Sequence, residues 1–175
     1  MRKLKVEELG RMTVDAYKER PKNPLVVVLD NVRSAHNVGA IFRTADAFAI
    51  QEIVLCGICA VPPNKDIHKT ALGATESVQW RYFEQPAEAA TALQKEGYQL
   101  WAVEQTDRST LLNEWKNESG KAIAVVFGHE VDGVSNEMLE KCRGAIELPQ
   151  YGTKHSLNVS VCAGIVMWEL GLSKR

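Results

Sequence analysis

The run LVVVLDNV (residues 25–32) most constrains how this chain can fold. A near-continuous apolar segment has no wet face to offer, so it reads as a strand covered on both sides. EIVLCGIC (52–59) reads the same way. VQWRYF (78–83), YQLWAVEQ (98–105), AIAVVFG (122–128) and AIELP (145–149) supply further strands. Between them the apolar spacing turns helical. An amphipathic helix is predicted over 4–19, ended by RPKNP because proline cannot continue the ladder. Another covers 36–49, with Val38, Ile41, Phe42, Ala45 and Phe48 on one face. VPPNKD (61–66) reads as a surface loop. A helix over 86–96 starts at Pro86 and ends near Gly97, and Ser135 can cap a short helix over 136–142. Leu157, Val161, Ile165, Trp168 and Leu172 recur at helical spacing to the end of the chain. Strands alternating with helices predict an α/β fold, a mostly parallel sheet with helices on both faces.

At 175 residues the chain is long enough for one domain with a real core. With 21 basic and 22 acidic residues, the net charge of −1 advertises no polyanion partner. The balance is uneven, however. Residues 1–24 carry seven Lys/Arg against four Asp/Glu, a local +3 that leaves −4 for the rest. That basic N-terminal helical arm is either a solvated face or a set of phosphate contacts. No membrane span and no signal-peptide pattern is present. Cys56, Cys59, Cys142 and Cys162 make no disulfide framework, so a cytoplasmic location is expected. Cys56-Gly-Ile-Cys59 straddles the end of an apolar strand with no second pair at zinc spacing. Both thiols read as small buried hydrophobes, and no metal is expected.

Ligands of parallel sheets sit beyond the carboxyl ends of the strands. The polar, glycine-bearing loops fall there: DNVRSAHNVG, EQTDRS, GHEVDGVS and PQYGTKHS. Phosphate-loop, dinucleotide and nucleophile-elbow motifs are missing. In NVRSAHNVGAIFRTADAF (31–48), Asn37 and Gly39 stand at the start of a helix whose free N–H groups can meet an anion. Arg43 lies further in. It either pairs with Asp46 on a solvated face or reaches a close-packed partner past Ala40, Ala45 and Ala47. In VVFGHEVDGVS (125–135), Gly128 and Gly133 bracket Glu130, reading either as a tight turn or as close ligand approach.

Taken together, the segments at 31–47, FGHEVDGVS (127–135) and LPQYGTKHSLNVSVCAG (148–164) resemble the three ordered motifs of the SpoU/TrmH family. These are RNA ribose 2′-O-methyltransferases of the SPOUT class. The resemblance runs from about residue 24 onward and marks off an arm (1–24) from a SPOUT methyltransferase domain (25–175). It implies a deep C-terminal trefoil knot, which periodicity cannot reveal. It further implies S-adenosyl-L-methionine as cofactor, a homodimer with the active site near the subunit interface, and RNA (tRNA or rRNA) as substrate. The compact plan is somewhat more similar to tRNA-modifying members.

Carried over by motif, the catalytic set is Arg43, Asn37 helping to hold it, Glu130, Ser156 and Asn158. The cofactor would rest on the backbone at Gly128, Leu148, Gly152 and Leu157, with Glu104 contributing. Gln150 stands where methionine often follows the proline, so any contact there falls to main-chain atoms. Ser160, Ala163 and Gly164 are small enough to let another backbone come close. In-line methyl transfer demands alignment of the 2′-oxygen with the methyl carbon. Arg43 would act as a transient base, or stay charged to clamp a phosphate and steady a developing alkoxide. The alternative is a knotted dimer that binds S-adenosyl-L-methionine or RNA without turnover.

Overall fold

The computed structural model describes residues 1–172. The side chain of Leu172, and the chain beyond it, lie outside the described residues. Seven strands form one sheet: β1 (Asn23–Asp30), β2 (Ile50–Cys56), β3 (Trp80–Phe83), β4 (Gln99–Val103), β5 (Ser109–Leu111), β6 (Ile123–Phe127) and β7 (Gly144–Glu147). Their order is β3-β2-β1-β6-β4-β7-β5, and every neighbouring pair is parallel. The apolar run beginning at Leu25 sits near the middle, and all of Leu25–Asp30 is buried.

The helices are α1 (Val14–Glu19), α2 (Ala35–Ala47), α3 (Lys65–Ala71), α4 (Ala74–Ser77), α5 (Pro86–Lys95), α6 (Asn136–Leu139) and α7 (Val159–Leu172). Period-two alternation sends Leu25, Val27 and Leu29 to one face of the sheet, where Ile41, Phe42, Ile67, Val166 and Met167 cover them. Val26 and Val28 point the other way, into a layer with Ala89, Leu93 and Met138. Burial on both sides is what makes an unalternating strand stable.

Four elements differ from the sequence reading. The predicted helix over 4–19 is two pieces, a 3₁₀ turn (Val6–Leu9) and α1, because Gly10 turns left-handed at φ 58° and Thr13 starts a new cap. Residues 65–77, given no element beforehand, form α3 and α4. Asn64 caps the first, and Leu72 with Gly73, at positive φ, separates it from the second. β5 is three residues long, too short to carry a pattern. The small residues of α7 serve this chain itself: Ala163 is buried, and a Cβ on Gly164 would lie 3.9 Å from Thr44 Cγ2 of α2.

Two glycine positions show how tightly the layers close. A Cβ on Gly39 would fall 2.1 Å from Thr70 Oγ1 and 2.4 Å from the Ile67 carbonyl oxygen. Gly39 is therefore where α3 crosses α2. Outside, Val161, Ile165 and Trp168 of α7, with Leu157 just before it, are between 40% and 56% exposed, an apolar stripe at the predicted spacing. Trp168 packs edge-to-face on Phe48 at 5.7 Å. Among the described residues no helix is long and apolar enough to cross a membrane.

Gly39→Ala tests the crossing. Because one of the atoms met is backbone, relaxation is limited. The expected loss is roughly 1–3 kcal/mol, read as a lower urea midpoint with an unchanged m-value.

Candidate active site

The carboxyl ends of β4, β6 and β7 open onto one cleft of about 640 Å³. Val103, Phe127, Ile146, Leu148 and Val159 give it apolar walls. Glu104, Glu130, Gln150, His155, Ser156 and Asn158 give it polar ones. This is where a parallel sheet is expected to place a ligand.

The N-terminus of α2 lies at the cleft edge, where the Asn37 N–H is met by Ser34 Oγ at 3.3 Å. Glu130 accepts hydrogen bonds from the backbone N–H of Arg33 (2.9 Å) and of Ser34 (3.0 Å), and from Asn37 Nδ2 (2.9 Å). The anion predicted at this helix start is thus a carboxylate arriving from the loop after β6. Burial pushes the Glu130 carboxyl up, but the donors from Arg33, Asn37 and Ser34 outweigh it and hold it below its usual range. A carboxylate so engaged positions the loop, with both oxygens of the group bonded to donors of the first motif segment.

Asn37 carries the connection onward. Its Oδ1 accepts from Asn158 Nδ2 at 3.1 Å. Asn158 Oδ1 in turn accepts from Ser160 Oγ (2.7 Å), Ser160 N (3.0 Å) and Val161 N (3.4 Å), capping α7. A single relay, Glu130–Asn37–Asn158, joins the three motif segments. No Asn37–Arg43 hydrogen bond forms among the described residues; the Asn37 amide bonds to Glu130 and Asn158.

Glu130, Ser156, Asn158, Glu104, Gly128, Leu148 and Leu157 all line the cleft; Gly152 and Arg43 do not. Arg43 is exposed and lines a separate groove with α1 and α4. No Arg43–Asp46 ion pair forms among the described residues. Asp46 instead accepts from Ser77 Oγ at 2.5 Å.

Gly128 is explained by its own chain. A Cβ there would lie 2.0 Å from the Gly133 carbonyl carbon, where His129 and Gly133 exchange backbone hydrogen bonds. Gly133 sits at φ +71°, against Glu104 Oε2. The Glu104 carboxylate is occupied too, accepting from Val134 N (3.0 Å) and Gln105 N (2.9 Å). Gly152, by contrast, has nothing within 4 Å of an added Cβ.

Three supporting residues escaped the sequence reading. Asp30 is fully buried at the end of β1 and accepts from Ser135 N at 2.7 Å and Asn31 Nδ2 at 2.8 Å. An acidic residue ending a doubly covered strand was the available signal. His129 Nδ1 accepts from the N–H groups of Val131 and Asp132, each at 3.2 Å. Gln105 Nε2 donates to the His155 carbonyl at 3.0 Å, tying the loop after β4 to the loop after β7. The cysteines behave as small hydrophobes: Cys56 and Cys59 are buried, and burial pushes the Cys59 thiol up to about 11. Among the described residues no side-chain cluster is arranged to hold a metal ion.

A model of the SpoU rRNA Methylase family matches residues 24–168. The 23S rRNA (guanosine-2′-O-)-methyltransferase RlmB of Vibrio parahaemolyticus is 32% identical over 93% of this chain. This chain spans 65% of that relative, just under two thirds of its length. The solved structure of the A. aeolicus TrmH/SpoU tRNA modifying enzyme is 29% identical with a TM-score of 0.77, over 90% of this chain and 78% of that one. An AdoMet-bound rRNA methyltransferase from Sinorhizobium meliloti shares the fold at TM-score 0.78 and 24% identity, over 90% of this chain and 58% of that one.

Glu130→Gln should cost roughly 1–2 kcal/mol at neutral pH, since hydrogen bonds to a charged acceptor are replaced by weaker ones. The folded-state pKa is depressed, so Glu130 contributes fully above the unfolded value. Its contribution fades as pH falls through the lower folded one. Denaturation of wild type and variant across pH should show the gap closing below the ordinary carboxylate range.

Proposed function

This chain belongs to the SpoU rRNA methylase family, and from that membership we propose that it transfers a methyl group to a ribose 2′-hydroxyl of structured RNA. The observation that carries the reading is the Glu130–Asn37–Asn158 relay, which gathers all three motifs at the edge of one cleft. The relatives named above act on both rRNA and tRNA, so no tilt towards tRNA is retained.

The cleft suits S-adenosyl-L-methionine. Its volume falls within the roughly 300–1,000 Å³ usual for ligand sites, and it pairs apolar walls with carboxylates that favour a cation. Leu148 and Leu157 would flank the adenine. The main chain at Gly128 and across 148–157 would offer donors and acceptors, and the open surroundings of Gly152 leave room for the loop to close. The bound cofactor supplies an electrophilic methyl group. What the residues of this chain supply is alignment. Ser156 and Asn158, at the mouth of the cleft, orient the ribose. Arg43, with no hydrogen bond or ion pair among the described residues, clamps a phosphate and steadies negative charge on the oxygen. Arginine keeps its proton in proteins.

Arg43 lies outside the cleft of its own chain. In our reading a second copy completes the site: the exposed stripe of α7 packs against a partner, and each Arg43 serves the other copy's cleft. The threading of a trefoil knot fits the strand order. β7 lies between β4 and β5, yet the chain then returns to set α7 against α2 and β1. A reducing cytoplasm suits the four free cysteines.

Purified protein incubated with methyl-labelled S-adenosyl-L-methionine and total RNA should yield one 2′-O-methylated nucleoside by mass spectrometry. Binding of both without product would make the protein a non-catalytic dimer. Arg43→Ala should cut turnover by about 10²-fold or more while calorimetric affinity for the cofactor stays within about twofold. Ile165→Glu, placing a charge in the stripe, should give a folded monomer by light scattering and abolish turnover. A fully active Ile165→Glu monomer would refute the shared site.

A further inference from the structure

Arg43 shares its groove with two other arginines that the N-terminal arm brings there. The groove, of about 450 Å³, is lined by Arg11 and Arg20 from the arm, by Arg43 and Asp46 of α2, and by Glu76 and Ser77 of α4. Arg11 and Arg43 are exposed and Arg20 is partly so. None of the three guanidinium groups forms a hydrogen bond or an ion pair among the described residues. Against these three positive charges stand two carboxylates. Asp46 accepts from Ser77 Oγ, and Glu76 lies exposed on the rim. The groove therefore keeps a net positive charge in a chain whose overall charge is −1.

The arm is fixed where it is. Tyr17 of α1 is only 5% exposed, and its hydroxyl lies 3.5 Å from the Ala45 carbonyl oxygen of α2, two residues beyond Arg43. The Lys22 ammonium sits 3.7 Å from the centre of the Tyr17 ring, and it also donates to the Tyr17 carbonyl. A buried aromatic anchor thus holds the two arm arginines at a set position relative to Arg43.

Unpaired guanidinium groups converging on one groove match the geometry of phosphate oxygens, which arginine binds through paired N–H donors. We infer that this groove receives the sugar–phosphate backbone of the RNA beside the target ribose, with Arg11 and Arg20 as its phosphate contacts. The inference rests on the reading that Arg43 works at that ribose. It makes the arm part of the RNA-binding surface, rather than a solvated helix face.

The test uses the full chain and a labelled single-stranded oligoribonucleotide of mixed sequence, followed by fluorescence anisotropy between about 50 and 200 mM salt. Arg11→Ala/Arg20→Ala should weaken binding at least tenfold. It should also flatten the slope of log K against log salt by about 1.4, roughly 0.7 for each lost contact to a single strand. In turnover assays KM for RNA should rise by a similar factor while kcat and cofactor affinity hold. Glu76→Gln removes a rim carboxylate and should tighten binding severalfold, which no loss of folding can imitate. Arg20→Lys keeps the charge and should retain the salt slope but not the full affinity. Unchanged affinity and slope in the double variant, or no tightening by Glu76→Gln, would overturn the groove. Wild-type protein that binds the oligonucleotide with these dependences but methylates no RNA would leave the groove standing and sink the proposed reaction.

Discussion

The site depends on one carboxylate meeting one helix start. A helix start exposes N–H groups that no residue of the helix can satisfy, and Glu130, from the loop after β6, takes that of the cap residue Ser34 and that of Arg33 just before it. Because Asn37 is bonded at once to Glu130 and Asn158, the start of α2, the loop after β6 and the start of α7 move as one body. A helix N-terminus commonly recruits a phosphate. Here a carboxylate of this chain stands at that end, and what it provides is a prearranged rim for the cleft.

The same device recurs along the rim. The loop over 128–135 is pinned by Asp30 at Ser135, by Glu104 at Val134 and by Glu130 at α2, each an acidic residue at or just beyond a strand end. Hydrogen bonds between backbone N–H groups and carboxylates are among the stronger ones, and buried backbone donors are costly to leave unmet. Loops so held lose less entropy when a ligand arrives, which is the advantage of a pre-formed pocket. The acidic residues bordering this cleft therefore also hold its loops in place, Glu130 at the start of α2 and Glu104 at Val134.

How much of this was legible follows from the range of each interaction. The doubly buried strands and α2, α5 and α7 announced themselves through local periodicity, and the strand ends correctly located the cleft. Gly10 broke the first helix because one left-handed residue outweighs an amphipathic pattern. α3 and α4 hid behind Leu72 and Gly73, which interrupt the period. The bond from Asn158 to Asn37 spans 121 residues and that from Asn37 to Glu130 spans 93, and no local pattern encodes either. The motif resemblance named these residues without saying that they bind one another. Gly128 read either as a tight turn or as close ligand approach because glycine marks close approach without saying of what. The approaching group is this chain's own backbone at Gly133 and Val134.

The arginines divide along the same line. Arg81 is consumed by structure: it makes a bidentate pair with Glu96, both bonds 2.7 Å, and lies 2.9 Å from Glu52, bracing the edge of the sheet. Arg11, Arg20 and Arg43 have no such partners among the described residues, although carboxylates are as abundant in this chain as basic groups. A guanidinium with no carboxylate partner in the chain keeps its paired N–H donors available to an anion from outside. Net charge hides this, because it sums cations already spent on internal partners with cations still free. For a protein acting on a polyanion, the second group alone sets where the backbone lies. Three of those cations, Arg11, Arg20 and Arg43, share one groove, whose lining residues are distinct from those of the cleft.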